Sequence, residues 1–102
     1  EETFVHNMIS VVMPTYKRAD LIGRSIESII SQTYTNWELI IVDDNPYDSE
    51  NRKATVNVVE AYSDSRIKYV KNKCNIGGAQ SRKRGIAIAR GEDRAFLYED
   101  DD

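Results

Sequence analysis

Short apolar runs alternate along this chain with longer stretches of helical period, and that alternation leaves few folds open. Met8-Ile9-Ser10-Val11-Val12-Met13 is β-branched and nearly all apolar, as a strand covered on both faces would be, and Pro14 is expected to stop it. Leu21, Ile22, Ile26, Ile29 and Ile30 then recur at helical spacing, with Arg24, Glu27 and Gln32 opposite. They predict a helix from about Ala19 to Gln32, with Asp20 near its start suited to the helix dipole. Trp37 to Val42 reads as a second, central strand. Asn45-Pro46-Tyr47-Asp48 reads as a turn, and Asn51 to Tyr62 as a second helix buried through Thr55, Val58, Val59 and Tyr62. Ile67-Lys68-Tyr69-Val70 alternates apolar and polar, as a half-exposed edge strand does. Asn75 to Gly78 is expected to be a flexible loop. Ala79, Arg82, Ile86 and Ala89 trace a third helix stopped by Gly91, and Arg94 to Tyr98 a fourth strand. The order β-α-β-α-β-α-β predicts an α/β, Rossmann-like fold. Its mostly parallel sheet of about four strands carries helices on both faces.

The 102 residues suit one domain or a piece of one. A net charge of −3 gives no basic face for nucleic acid, so no nucleic-acid partner is expected. The single cysteine, Cys74, has no internal partner and reads as a small loop residue, which fits a reducing, cytoplasmic compartment. No apolar run is long enough for a transmembrane segment. Residues 1–7 show no pattern and read as a frayed lead-in, with His6 at the surface.

Chemistry gathers at strand ends. Ala95-Phe96-Leu97-Tyr98 runs straight into Glu99-Asp100-Asp101-Asp102. Four adjacent carboxylates repel one another and are tolerated in open solvent, as an acidic tail, or around a cation such as Mg2+ or Mn2+. Asp43-Asp44 closes the run Leu39-Ile40-Ile41-Val42. Ligands of open α/β sheets sit beyond the carboxyl ends of the strands, so two acidic strand ends point at one site. One Asp of the pair also fits a turn or cap role. Pro14-Thr15-Tyr16-Lys17-Arg18 joins strand to helix on that edge. Tyr16 can stack on a base and Thr15 offers a hydroxyl, although an ordinary βα turn has the same makeup. Gly77 and Gly78 before Arg82 let backbone approach an anion at a helix start, whereas Lys83 and Arg84 read as a solvated face. Neither a G-x-G-x-x-G nor a P-loop pattern occurs.

Together these blocks resemble the family 2 glycosyltransferases of GT-A fold. Ile9 to Arg18 is similar to that family's opening strand and nucleotide loop. Ser28 to Tyr34 and Trp37 to Asp44 are similar to its next two segments, and Asn75 to Glu92 to its third. Phe96-Leu97 with the following acids looks like the strand that ends in the metal-binding DxD motif. The resemblance implies that residues 8–102 are the N-terminal, nucleotide-sugar-binding half of a longer domain, truncated after that motif. Pro14, Thr15, Tyr16, Arg18, Asp43, Asp44, Gly78 and Arg82 would bind the nucleotide, with Asp44 on the base, usually uracil, and Arg82 near the ribose or diphosphate. Glu99, Asp100 and Asp102 would hold Mn2+ or Mg2+, Asp100 matching the closing Asp of the motif. Tyr98 departs from the pattern where its first Asp is common, and Asn45-Pro46 replaces the usual Gly-Ser.

The activity implied is inverting transfer of a sugar from a UDP-sugar to a hydroxyl of a carbohydrate or lipid-linked acceptor, at the inner membrane face in the full-length protein. The catalytic base is expected outside this chain, leaving a fragment that binds nucleotide without transferring sugar. The rival from another class is a response-regulator receiver domain, whose first strand and Mg2+-binding acids Leu39 to Pro46 resemble. In that reading a whole βα unit precedes the motif that should open the domain.

Overall fold

The computed structural model describes residues 5–96, with side chains from 7 to 93. Strand β1 (Val5–Thr15) leads to helix α1 (Ala19–Ser31) and strand β2 (Trp37–Asp43). Helix α2 (Glu50–Glu60), strand β3 (Ile67–Lys71), helix α3 (Gly78–Ile88) and strand β4 (Gly91–Phe96) complete the order. The four strands form one parallel sheet in the order β3-β2-β1-β4. This is the α/β fold expected from the alternation.

Strand alternation divides the core. Val11, Met13, Trp37, Leu39 and Ile41 face Ile22 and Ile26 of α1 and Val59 of α2. On the opposite face Ile40 and Val42 meet Ala89. The chain builds outward from β1 through β2 to β3, then returns through α3 to place β4 on the other side of β1. Open α/β sheets take their ligands beyond the carboxyl ends of the strands at such a reversal, which here falls between β1 and β4. The reversal also removes the receiver reading. A receiver opening at β2 would set β4 beside β2, following the order 2-1-3, but β1 lies between them.

Several local expectations change. β1 opens at Val5, not Met8, and runs through Pro14, which registers with Val42. Thr15 C=O faces β2, where it accepts the Asp44 N–H at 2.9 Å, so the neighbouring Pro14 nitrogen faces away from that ladder. The buried face of α3 is Ser81 and Gly85, and Ile86 points outward with 37% exposure. A Cβ on Gly85 would lie 2.4 Å from Val12 Cγ1, so the helix sits too close to the sheet for a larger residue. Gly91 is not a left-handed helix stop. It opens β4, and a Cβ there would come within 2.6 Å of Met8 O and 2.8 Å of Ser10 N. The part of the fourth strand expected at residues 97 and 98 lies outside the described residues.

Before β3, Asp64 accepts hydrogen bonds from Arg66 N, Nε and Nη2 at 2.9, 2.9 and 2.6 Å. The same guanidinium lies 3.8 Å from the Trp37 ring centroid. These bonds, led by those from the Arg66 side chain, hold the Asp64 carboxyl down to about 2 from an ordinary 3.8.

Gly91→Ala is expected to destabilise the chain by about 1–3 kcal/mol or more, because rigid backbone meets the new methyl group. Urea unfolding followed by Trp37 fluorescence measures it. A depressed folded-state pKa contributes stability that is complete above the unfolded value and lost as pH falls through the folded one. Unfolding midpoints are therefore expected to fall from about pH 4 toward pH 2, and Asp64→Asn to flatten that window.

Candidate functional site

At the carboxyl edge of the sheet, Asp43 and Asp44 leave β2 toward opposite faces. Asp43 is fully buried and turns to the α2 side. Its Oδ2 pairs with Arg52 Nε at 3.1 Å and accepts the Tyr69 hydroxyl. Its Oδ1 accepts Asn45 N and Nδ2 at 2.9 and 2.8 Å. Burial, then the bond to Asp43, pushes the Tyr69 pKa above its ordinary value, so the hydroxyl remains a donor. Arg52 Nη2 also donates to Asn45 O at 2.7 Å and to Asn72 O at 2.5 Å, joining the ends of β2 and β3. Ser49 caps α2 by accepting Arg52 N–H, which fixes the turn that carries this arginine.

Asp44 turns to the α3 side and is 3% exposed. Oδ1 accepts Asn72 Nδ2 and Ile76 N, both at 2.8 Å. Oδ2 accepts Asn75 Nδ2 at 2.7 Å and Gly77 N at 2.9 Å. Four donors fill the roughly four lone-pair positions of a carboxylate. The segment expected to be a flexible loop is thereby tied to β2. Gly77, with φ of 93°, supplies the left-handed residue that lets the chain turn into α3. Asn72 also donates to Ser81 Oγ at 3.1 Å, and Arg84 donates to Asn72 Oδ1, so Arg84 is not a purely solvated cation.

The loop after β1 meets this edge. Thr15 is buried, and its Oγ1 finds no partner among the described residues. Tyr16 is 41% exposed, with Lys17 Nζ 5.1 Å from its ring centroid. Lys17, at φ 57°, donates its N–H to Asn45 Oδ1 at 2.8 Å, locking the first loop to the second. Arg18 stands at the N-cap of α1 and Pro14 within β1. Gly78 opens α3, and Arg82 Nη1 lies 3.5 Å from where its Cβ would be.

The structure therefore joins Thr15, Asp43 and Asp44 through backbone and carboxylate contacts, with Tyr16 exposed beside them. Glu99, Asp100 and Asp102 lie outside the described residues. Phe96 of β4 registers with Val12, and the parallel strand runs toward the same sheet edge. Among the described residues no three His, Cys, Asp or Glu side chains gather where a metal ion could sit. A cleft of about 280 Å³ between the 47–48 turn, α2 and Lys71 contains none of the predicted site residues. Asn45, Arg52, Tyr69, Asn72 and Asn75 were missed from sequence. The one local signal was a set of amides placed just after strands, where Asn bonds to nearby backbone.

This fold and edge define an α/β unit with a strand-order reversal, the place where open sheets of this class take ligands. The model of glycosyl transferase family 2 matches residues 10–102, and the chain belongs to that family. The Escherichia coli UDP-Glc:alpha-D-GlcNAc-diphosphoundecaprenol beta-1,3-glucosyltransferase WfgD is 39% identical over 94 residues, 92% of this chain and 35% of that protein. The amylovoran biosynthesis glycosyltransferase AmsB of Erwinia amylovora is 37% identical over 93 residues, covering 91% and 31%. The chain thus spans about a third of the length of these relatives. Among solved structures, S. aureus TarS 1–349 superposes with a TM-score of 0.73 at 26% identity, over 89% of this chain and 27% of that one. The Pyrobaculum calidifontis mannosyltransferase PcManGT, in complex with GDP-Man and Mn2+, gives 0.69 at 25%, over 82% and 25%. No helix among the described residues is long and apolar enough to cross a membrane.

Asp44→Asn replaces one acceptor oxygen by a donor facing other donors. It is expected to cost about 2 kcal/mol or more. Amide exchange at Ile76 and Gly77 should rise well above that of β2, and hydrogen-exchange mass spectrometry or NMR reads this directly.

Proposed function

We propose that this chain is the donor-binding part of a metal-assisted, inverting glycosyltransferase. It would take a UDP-sugar and serve transfer to a hydroxyl of a carbohydrate or lipid-linked acceptor. The observation that carries the reading is the strand order, which puts β1 between the acidic end of β2 and the strand leading to Glu99–Asp102, within a chain of this family. The choice of UDP and of a lipid-linked acceptor is supported by WfgD, whose name carries UDP-Glc and a diphosphoundecaprenol-linked sugar. Such an acceptor would put the full-length protein at the cytoplasmic face of a membrane.

In this reading Tyr16 stacks on the base and the Thr15 hydroxyl gains the partner it lacks. Asp43 acts indirectly, since both its oxygens are engaged within the fold. A base N–H reaches Asp44 only by replacing one of its four donors, and Asn75 Nδ2, on an exposed residue, is the readiest to leave. Arg18, Gly78 and Arg82 serve the ribose and diphosphate, as a helix start and a guanidinium suit phosphate oxygens. Glu99, Asp100 and Asp102 are all oxygen donors, the kind that Mn2+ and Mg2+ take. The ion, when bound, supplies charge neutralisation at the diphosphate. In the transfer, the acceptor oxygen bonds to the anomeric carbon from the face opposite the diphosphate. The carbon–oxygen bond to the diphosphate breaks, and a carboxylate base outside this chain takes the proton. The chain alone then binds nucleotide and transfers no sugar.

Calorimetric titration of UDP with Mn2+ and with EDTA tests this, alongside GDP and the variants Asp44→Ala and Asp100→Ala. Expected are binding strengthened by metal, loss of that strengthening in Asp100→Ala, and weaker binding throughout in Asp44→Ala. A folded chain that ignores UDP under every condition would overturn the reading. Preference for GDP would overturn the donor base alone.

A further inference from the structure

The two oxygens of Asp44 are both engaged, but they are not equally easy to free. Oδ1 accepts Asn72 Nδ2 and Ile76 N. Asn72 is 1% exposed, and its amide is fixed further by Ser81 Oγ and by Arg84, so this oxygen has no partner it can readily release. Oδ2 accepts Gly77 N, which is backbone of the turn into α3, and Asn75 Nδ2, the end of an exposed side chain. Asn75 Nδ2 also donates to Asp44 O at 3.2 Å. Among the described residues both hydrogen bonds of the Asn75 side chain therefore end on Asp44. Rotation about its own side-chain bonds frees Oδ2 while the backbone stays in place.

What Asn75 presents to Oδ2 is a planar N–H beside a carbonyl. A nucleobase imide presents the same group, as N3–H of uracil between two carbonyls or N1–H of guanine beside one. A single base N–H can thus take the place of Asn75 and leave Asn72, Ile76 and Gly77 where they are. Guanine carries a 2-amino group next to N1–H, and a carboxylate satisfies that pair through two free oxygens. With Oδ1 closed, the amino group would have no acceptor on Asp44, and an unpaired polar group in a binding site counts heavily against the ligand that carries it.

We propose that Asn75 is a built-in stand-in for the base. It stoppers Asp44 until a base N–H takes its place, and by opening one oxygen only it selects uracil over guanine. The inference rests on the nucleotide-binding reading of this edge, and it lies wholly within the loops after β2 and β3. A stopper lowers the apparent affinity by the fraction of time it stands open, and a hydrogen bond to a charged group keeps that fraction small.

The test is calorimetric titration, in EDTA, of UDP, GDP and 3-methyluridine diphosphate into the unaltered chain and Asn75→Ala. The methylated base has no N3–H to donate. Asn75→Ala should bind UDP about tenfold more tightly, the size of effect that a charge-assisted hydrogen bond supports. GDP and the methylated nucleotide should gain little. Hydrogen exchange at Ile76 and Gly77 should stay slow in the variant, because their own bonds to Asp44 remain. In the unaltered chain, the side-chain amide signal of Asn75 in NMR spectra should shift as UDP is added. UDP binding by the unaltered chain that Asn75→Ala leaves equal or weakens overturns the inference and spares the donor reading. An equal gain for all three nucleotides, or an Asn75 signal that UDP does not move, also overturns it. Fast exchange at Ile76 and Gly77 in Asn75→Ala would make Asn75 a tie of the loop, and overturns it as well. UDP binding by Asn75→Ala alone supports it. If neither chain binds any of the nucleotides, the donor reading falls and the inference with it.

Discussion

Two adjacent carboxylates on one strand cannot share a partner, because successive side chains leave a sheet on opposite faces. Asp43 and Asp44 are both buried, and a buried charge without donors would cost the fold several kcal/mol. Each therefore gathers its own surroundings. Asp43 draws in Arg52 and Tyr69 on the α2 side, and Asp44 draws in Asn72, Asn75 and two backbone amides before α3. The edge where a ligand would lie is the sum of those two demands. Asn45 and Arg52 then connect it to the loop after β1 and to the end of β3.

A site assembled in this way is organised before any ligand arrives. Loops held by charge-assisted hydrogen bonds need little further ordering, and that lowers the entropic cost of binding. The other end of the sheet uses the same device, with Glu38 holding the entry into β4. Between the two ends the sheet is apolar, and α3 approaches it closely because its inner face is Ser81 and Gly85. The polar groups are thus gathered at the two rims of an apolar core.

Element order and type were legible because long amphipathic stretches and short β-branched runs have distinct periods. Helices α1 and α2 fell within two residues of their expected ends. The inner face of α3 was misread for a simple reason. It is made of small residues that carry no hydropathy signal, and the visible Ile86 faces out. The start of β1 was missed because its polar residues, such as Asn7, interrupt the alternation around a register shift. The segment 75–78 looked flexible because glycine and asparagine fit many conformations. Its order comes from a carboxylate more than thirty positions away.

What the amino-acid order determined alone was the succession of strands and helices and the types of group at the strand ends. Those depend on neighbours within a few residues. The family was readable too, since it rests on blocks in a fixed order. Only the tertiary structure decided that β1 lies between β2 and β4, which face each aspartate serves, and what ties the start of β4 to β1. Those are matters of hydrogen bonds such as Gly91 to Ser10, between residues 81 positions apart. No local pattern encodes such a bond, because its partners meet only when the sheet has closed around them.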